Sequence, residues 1–159
     1  MNNQHLNEKK TRLSVDYFEK MHIIKNRKED EVAIMLIQFN FKNFRSFREE
    51  VTLDLSATKM TEFSERVVTI GSEKILPIAA IYGANASGKS NIYSAFEYMA
   101  EYVVDSFKYG DEEEKFEEYR PTPFLFDSTS ADAESSFEVY FTIPGDKNEK
   151  TYNYGFCVD

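Results

Sequence analysis

The stretch Ile81–Ile92 reads IYGANASGKSNI, and it constrains the fold more than any other part of the chain. Gly83, Gly88, Lys89 and Ser90 satisfy the spacing G-x-x-x-x-G-K-[ST] in full. Each position has a physical task. Gly83 lets the backbone leave a strand sharply, and Gly88 permits a close approach that a Cβ would obstruct. The amides of Ala84, Asn85, Ala86 and Ser87 can turn inward as a nest for an anion. Lys89 adds a positive charge, and the Ser90 hydroxyl is a hard oxygen of the kind Mg2+ prefers. A helix opening here adds the partial positive charge of its N-terminus. Such a loop works between a strand and a helix, so it demands an α/β fold. Its context complies. The apolar run KILPIAAIY precedes it, and Ile92, Phe96, Met99 and Val103 follow at helical spacing, which predicts a helix from Lys89 to Phe107.

The flanks read as β-structure. LIQFNFKNF is rich in aromatic and β-branched residues, and EEVTLDLSA alternates, with Val51, Leu53 and Leu55 on one face. ERVVTI predicts a third strand closed by Gly71. Pro77 is expected at the start of a strand, because proline cannot donate within a sheet, and Ile78–Tyr82 reads as a buried central strand. Near the end, SFEVYFTI puts Phe137, Val139, Phe141 and Ile143 on one face, and TYNYGFCVD does the same with Tyr152, Tyr154, Phe156 and Val158. The turn-rich PGDKNEK between them predicts a hairpin. With 14 Phe, 10 Tyr and no Trp, the core is expected to pack largely through aromatic rings.

Charge separates the chain into two parts. Residues 1–34 carry 7 basic and 6 acidic side chains, and residues 35–159 carry 12 and 22. The first part is polar, with one helical stripe of Leu13, Tyr17, Met21 and Ile24; it reads as a flexible or helical extension, or as a surface for a partner helix. Met35 opens the folded part. The net charge of −9 gives no support for broad DNA binding, which needs Lys and Arg against phosphates, although a local basic groove stays open. No apolar run reaches membrane-spanning length, no secretory leader is visible, and the single Cys157 leaves no disulfide framework; a cytoplasmic setting is expected. Cys157 alternates away from the apolar face of its strand and reads as a small, partly buried residue. His5 and His22 fall in the polar extension. The acidic YGDEEEKFEEYRPTP reads as a solvated connection, since it has no cation-loop spacing.

FKNFRSF (Phe41–Phe47), VTLDLSA and IAAIYGANASGKSNIYSAF together resemble the N-terminal part of AAA-family ATP-binding proteins of the ABC/SMC/RecF-like branch, which includes OLD-type nucleases and phage-defence ATPases. The resemblance covers residues 35–159. It implies a P-loop NTPase fold: a partial ABC/SMC-like head with an antiparallel β portion beside a strand–P-loop–helix unit. It implies ATP and Mg2+ as ligands, with Asn85 beside the phosphates, Ser87, Gly88, Lys89 and Ser90 donating to them, and Asn91 in the first helical turn. Arg45 would lie near the nucleotide or a DNA-facing edge, or else is a solvated charge at a strand end. Two such heads sandwich nucleotide, so a homodimer or a missing C-terminal ATPase half is the implied partner.

The chain also departs from that branch. It lacks an S-G-G-like signature, an apolar strand ending in Asp-Glu (Walker B), and a later histidine switch. PFLFDS places an apolar run before Asp127, but serine follows where a glutamate base belongs, and core packing followed by a turn explains it better. The expectation is an N-terminal portion that binds nucleotide weakly and hydrolyses little alone. Its biological role would be phage defence or DNA processing; the alternative is a truncated non-catalytic remnant or a regulatory subunit.

Overall fold

The computed structural model describes residues 34–57, 62–105, 120–143 and 150–159. The extension's stripe, His5 and His22, most of the acidic connection and the turn at 144–149 lie outside the described residues. The chain divides into two compact units: Val32–Phe96 with Pro121–Asp159, and Met1–Glu31 with Glu97–Arg120.

The first unit is built on a sheet whose strands are β1 (Met35–Lys42), β2 (Val51–Asp54), β5 (Ser135–Thr142) and β6 (Thr151–Val158), in the order β2-β1-β5-β6. All three pairings are antiparallel. The hairpin read from the sequence is present, and its register explains the two apolar faces. Phe137 pairs with Phe156, Val139 with Tyr154 and Phe141 with Tyr152, so the aromatic positions of β5 and β6 share a face. Phe39, Phe41, Phe44 and Phe137 are fully buried there. Each such side chain contributes about 1.5–3 kcal/mol by leaving water. Their rings form a chain of contacts: Phe39 with Phe41 at 5.5 Å, Phe41 with Phe44 at 6.3 Å, Phe44 with Phe137 at 5.6 Å, and Phe137 with Phe156 at 5.5 Å. The aromatic core expected from composition is what holds this sheet.

The opposite face carries a polar network. Asn153, Asn40 and Tyr140 all donate to the carboxylate of Glu138, at 2.8, 3.0 and 3.1 Å. Those donors, Asn153 foremost, hold the Glu138 carboxyl below its usual range. Gln38 donates to Asn40 at 2.8 Å and completes the network.

β1 carries an irregularity between Leu36 and Gln38. The extra residue, Ile37, joins Ile70 and Ile75 in a small second core flanked by Met35, Leu55, Val68 and Tyr140. Ile70 and Ile75 come from a separate hairpin, β3 (Val68–Ile70) with β4 (Glu73–Ile75), turned at Gly71 with φ 58°. Residues just past β2 stitch the two sheets together, with Leu76 N–H donating to Leu55 O at 2.8 Å and Ala57 N–H to Lys74 O at 2.7 Å.

This hairpin corrects the reading of KILPIAAIYG as one strand. Its first residues pair backward with β3, and the ladder stops short of Pro77, which has no N–H to give. Ile78–Tyr82 is not a buried central strand among the described residues. It pairs with no strand, and Ile78 and Tyr82 are 81% and 90% exposed. An apolar strand is buried only where strands flank it on both sides, and none of the described strands does so.

Helix α1 (Lys89–Asp105) begins at the lysine, as its periodicity predicts; residues beyond Asp105, Phe107 included, lie outside those described. Phe96 meets Phe39 edge to face at 5.2 Å, so the first half of α1 packs on the aromatic face of the sheet. In the second unit, Met99 and Val103 continue the apolar stripe and are buried, and the rings of Tyr98 and Tyr102, one turn apart, meet at 5.8 Å with their planes tilted by 36°.

Candidate functional site

The loop between Tyr82 and Lys89 has the backbone its spacing demands. Gly88 sits at φ 89° and immediately precedes α1, and its carbonyl accepts from Asn91 N–H at 2.8 Å and from Ile92 N–H at 3.3 Å. Ala86 also takes a positive φ of 61°, which folds the intervening backbone back on itself. Ser87 N–H closes a turn on Ala84 O at 3.3 Å. A Cβ on Gly83 would lie 2.8 Å from Ser87 Oγ, so a side chain there would turn the serine hydroxyl out of its present place.

Lys89 lies at the start of α1 and its ammonium bends back over the loop. It donates to Gly83 O at 2.9 Å and to Ala84 O at 2.6 Å. Gly83, Ala84, Asn85, Ala86 and Ser87 are exposed, and so is Ser90. The arrangement therefore presents an accessible ammonium, a hydroxyl and a helix N-terminus on a folded-back backbone. That is a set of donors suited to a polyanion. Asn91 is the third residue of α1, inside its first turn.

The segment Asn43–Arg48 reaches this loop from the end of β1. Phe44 and Phe47 exchange backbone hydrogen bonds at 2.8 and 2.9 Å, closing a tight turn with Arg45 and Ser46 at its tip. Asn91 Nδ2 donates to Ser46 Oγ at 2.8 Å. A Cβ on Gly88 would lie 2.8 Å from Phe47 Cζ and 2.9 Å from Ser46 Oγ. Two sequence segments some forty residues apart thus meet at Gly88. Arg45 is exposed, at φ 52°, with its N–H bound to Thr122 O at 2.8 Å and its guanidinium 5.2 Å from the Phe44 ring. It stands next to the residue that touches the loop, and its side chain rests on an aromatic face.

Asn43 is the residue that sequence reasoning missed. It is 2% exposed and sits at φ 53°, a conformation Asn tolerates better than most residues. Its Nδ2 donates to Ser130 O at 2.9 Å and Ala133 O at 2.7 Å, while its Oδ1 accepts from Phe124 N–H at 3.0 Å. Its own carbonyl accepts from Ser135 Oγ at 2.6 Å. One side chain ties the turn to the segment that leads into β5. The only sequence signal was an Asn at the entrance to a turn; its partners, some ninety positions away, leave no local trace.

Asp127 has a structural task. It caps the short helix α2 (Ser128–Ala131), accepting from Ser130 N–H at 2.8 Å and from the hydroxyls of Thr129 and Ser130 at 2.6 and 2.9 Å. These bonds, the Thr129 hydroxyl first, together with Arg48 at 3.6 Å, hold its pKa down to about 2. The apolar residues before it are not core: Leu125 and Phe126 are exposed. Cys157 is likewise exposed rather than partly buried, at the rim of a cleft of about 500 Å³ that Lys42, Asn43, Arg48 and Ser130 also line. No three His, Cys, Asp or Glu side chains converge among the described residues.

Residues 78–158 match the model of a family described as "AAA domain, putative AbiEii toxin, Type IV TA system". The match begins in the exposed segment before the loop and runs through α1 to the last strand. No curated protein and no solved structure matches the chain.

Proposed function

Since the chain belongs to the AAA-domain family, we propose that it takes up Mg-ATP on the loop Gly83–Asn91, as the nucleotide-binding part of an ABC/SMC-like ATPase. The observation that carries this reading is the conjunction at Lys89. An exposed ammonium, a folded-back loop with two positive-φ residues and the N-terminus of a 17-residue helix meet within the matched residues. A triphosphate would be held by the loop amides and by Lys89, which would exchange two carbonyl partners for phosphate oxygens. Mg2+, held by Ser90 Oγ and the phosphates, would neutralise charge on the transferred group. The residues fit: exposed donors predominate along the loop, and Gly83 keeps it free of a Cβ that would foul Ser87 Oγ.

Phage defence is the biological setting we propose first, with DNA processing second. The family description, which names a toxin of a toxin–antitoxin system, favours the first. The finer branch rests on the FKNFRSF segment and its contact with the loop. A cytoplasmic setting goes with this reading; among the described residues no helix is long and apolar enough to cross a membrane.

A second reading, nucleotide binding without turnover, is favoured by one observation. Asp127, the carboxylate that follows an apolar run, is committed to capping α2 and pairing with Arg48, so it is not available to orient a water molecule. Calorimetry with Mg-ATP and a phosphate-release assay test both readings. Uptake by the wild type that is lost in Lys89→Ala supports the proposal. Phosphate release abolished by the same substitution favours the ATPase over the silent binder. A folded wild-type chain that takes up no Mg-ATP, or a Lys89→Ala variant that binds equally well, would overturn it.

A further inference from the structure

We infer that Ser46 and Phe47 are positioning residues for the phosphate loop, acting as a clamp that transmits the rigidity of the sheet to Gly88 and the first turn of α1. The inference rests on the reading of Gly83–Asn91 as a phosphate site and adds what sets its shape.

The clamp has a rigid base. The Phe47 ring lies 5.3 Å from Phe41 in an edge contact, and Phe41 is a fully buried residue of β1. The turn that carries Phe47 is closed by its reciprocal bonds with Phe44, whose ring is also fully buried. Asn43 anchors the entrance of that turn, and Arg48 O accepts from Asn43 N–H at 3.2 Å across its base. On the loop side, a Cβ on Gly88 would lie 2.8 Å from Phe47 Cζ and 2.9 Å from Ser46 Oγ, so a side chain there would push both away. The Ser46 hydroxyl takes the Asn91 amide at 2.8 Å, fixing the third residue of α1. Gly88 and Asn91 bracket Lys89 and Ser90. The clamp therefore grips the two residues on either side of the ammonium and the hydroxyl.

Ile78–Tyr82 leads into the loop without a strand partner among the described residues. A phosphate site gains affinity from donors already in place, since ordering them on binding costs free energy.

The test uses the whole chain and two measurements. Mg-ATP affinity is measured for wild type, Ser46→Ala, Ser46→Thr, Asn91→Ala, Phe47→Leu and the Ser46→Ala/Asn91→Ala double variant. Loss of one hydrogen bond weakens binding about 3- to 10-fold. We expect that loss in each single alanine variant, no further loss in the double variant, and recovery in Ser46→Thr, which keeps the acceptor. Amide exchange without nucleotide is the second measurement. We expect residues 88–92 to exchange several-fold faster in Ser46→Ala and Phe47→Leu, with β5 and β6 unchanged. A general loss of stability would instead speed exchange across the sheet and would overturn the inference. So would unchanged exchange at 88–92, or additive losses in the double variant. If wild type binds no nucleotide but exchange at 88–92 responds as expected, the nucleotide reading fails and the clamp on the loop stands.

Discussion

Replacing Asn43 by alanine tests the joint on which the turn depends. Two costs can be worked from the structure. Alanine at φ 53° is less tolerable than asparagine by about 1 kcal/mol. Phe124 N–H, in a half-buried residue, loses its acceptor, which costs about 1–3 kcal/mol. Ala133 is exposed, so its carbonyl can turn to water, and Ser130 O also accepts from Ala133 N–H at 3.3 Å. The sum is about 2–4 kcal/mol, a large share of the roughly 5–15 kcal/mol that holds a domain together. For a chain of this size, that lowers the melting midpoint by about 10 °C. Calorimetric melting of Asn43→Ala and Asn43→Gly is the assay. The glycine variant keeps the backbone conformation at no steric cost and should be the more stable of the two by about 1 kcal/mol. If Asn43→Ala melts within about 2 °C of wild type, less than 1 kcal/mol is at stake and the joint is not what secures the turn.

Three further outcomes follow from named contacts. Gly88→Ala places a methyl group 2.8 Å from Phe47 Cζ at a positive φ, so it should lower stability by about 1–3 kcal/mol and abolish Mg-ATP uptake, read by melting and calorimetry. Asp127 has a folded-state pKa of about 2, below its unfolded value, so its contribution is complete above pH 4 and disappears as pH falls from 4 towards 2. Denaturant midpoints of Asp127→Asn should accordingly show a shallower pH dependence than wild type across that window, and equal slopes would refute the assignment. Glu138→Ala strips Asn40, which is 8% exposed, of its carboxylate partner; the cost should be about 1–2 kcal/mol in urea unfolding, with Mg-ATP affinity unchanged.

The elements with a clear period were legible. Strands β5 and β6 alternate so plainly that the predicted faces are the observed ones; on α1 Met99 and Val103 are buried as read, Ile92 and Phe96 are half-buried, and Ala95, which the stripe did not include, is fully buried. Asp127 was read as the end of a packed apolar run, whereas it caps a short helix and the residues before it are exposed. What could not be read lay in long-range partners. KILPIAAIYG has no alternation, so its apolarity alone could not say that it divides at Pro77 between a hairpin strand and an exposed segment. Ile37 leaves the face of its strand because of a one-residue irregularity that no pattern announces. Spacing singled out the loop residues as a group, but it said nothing of Ser46 and Phe47, which belong to another segment and meet the loop only after the sheet has formed.

That last point bears on how a phosphate loop is held. The usual expectation is that the strand before the loop carries it, and here that strand-like segment lies exposed, with Ile78 and Tyr82 in solvent. The loop nevertheless has a defined backbone, with Gly88 and Ala86 in the left-handed region and Lys89 bonded across to Gly83 and Ala84. A path of contacts from the other segment joins it to the sheet. The path runs from buried Phe41 through Phe47 to Gly88, and from Ser46 to Asn91. Because Phe41 and Phe39 lie in the same strand and Phe39 meets Phe96 of α1, the helix is held at Asn91 in its first turn and again at Phe96, about one and a half turns later. Two contacts at separate heights hold residues 89–96 of the helix within this unit, where one would leave them free to pivot. The N-terminal end of α1 is thereby aimed at the loop by the aromatic sheet, so the FKNFRSF segment shapes the site whether or not Arg45 ever touches a ligand.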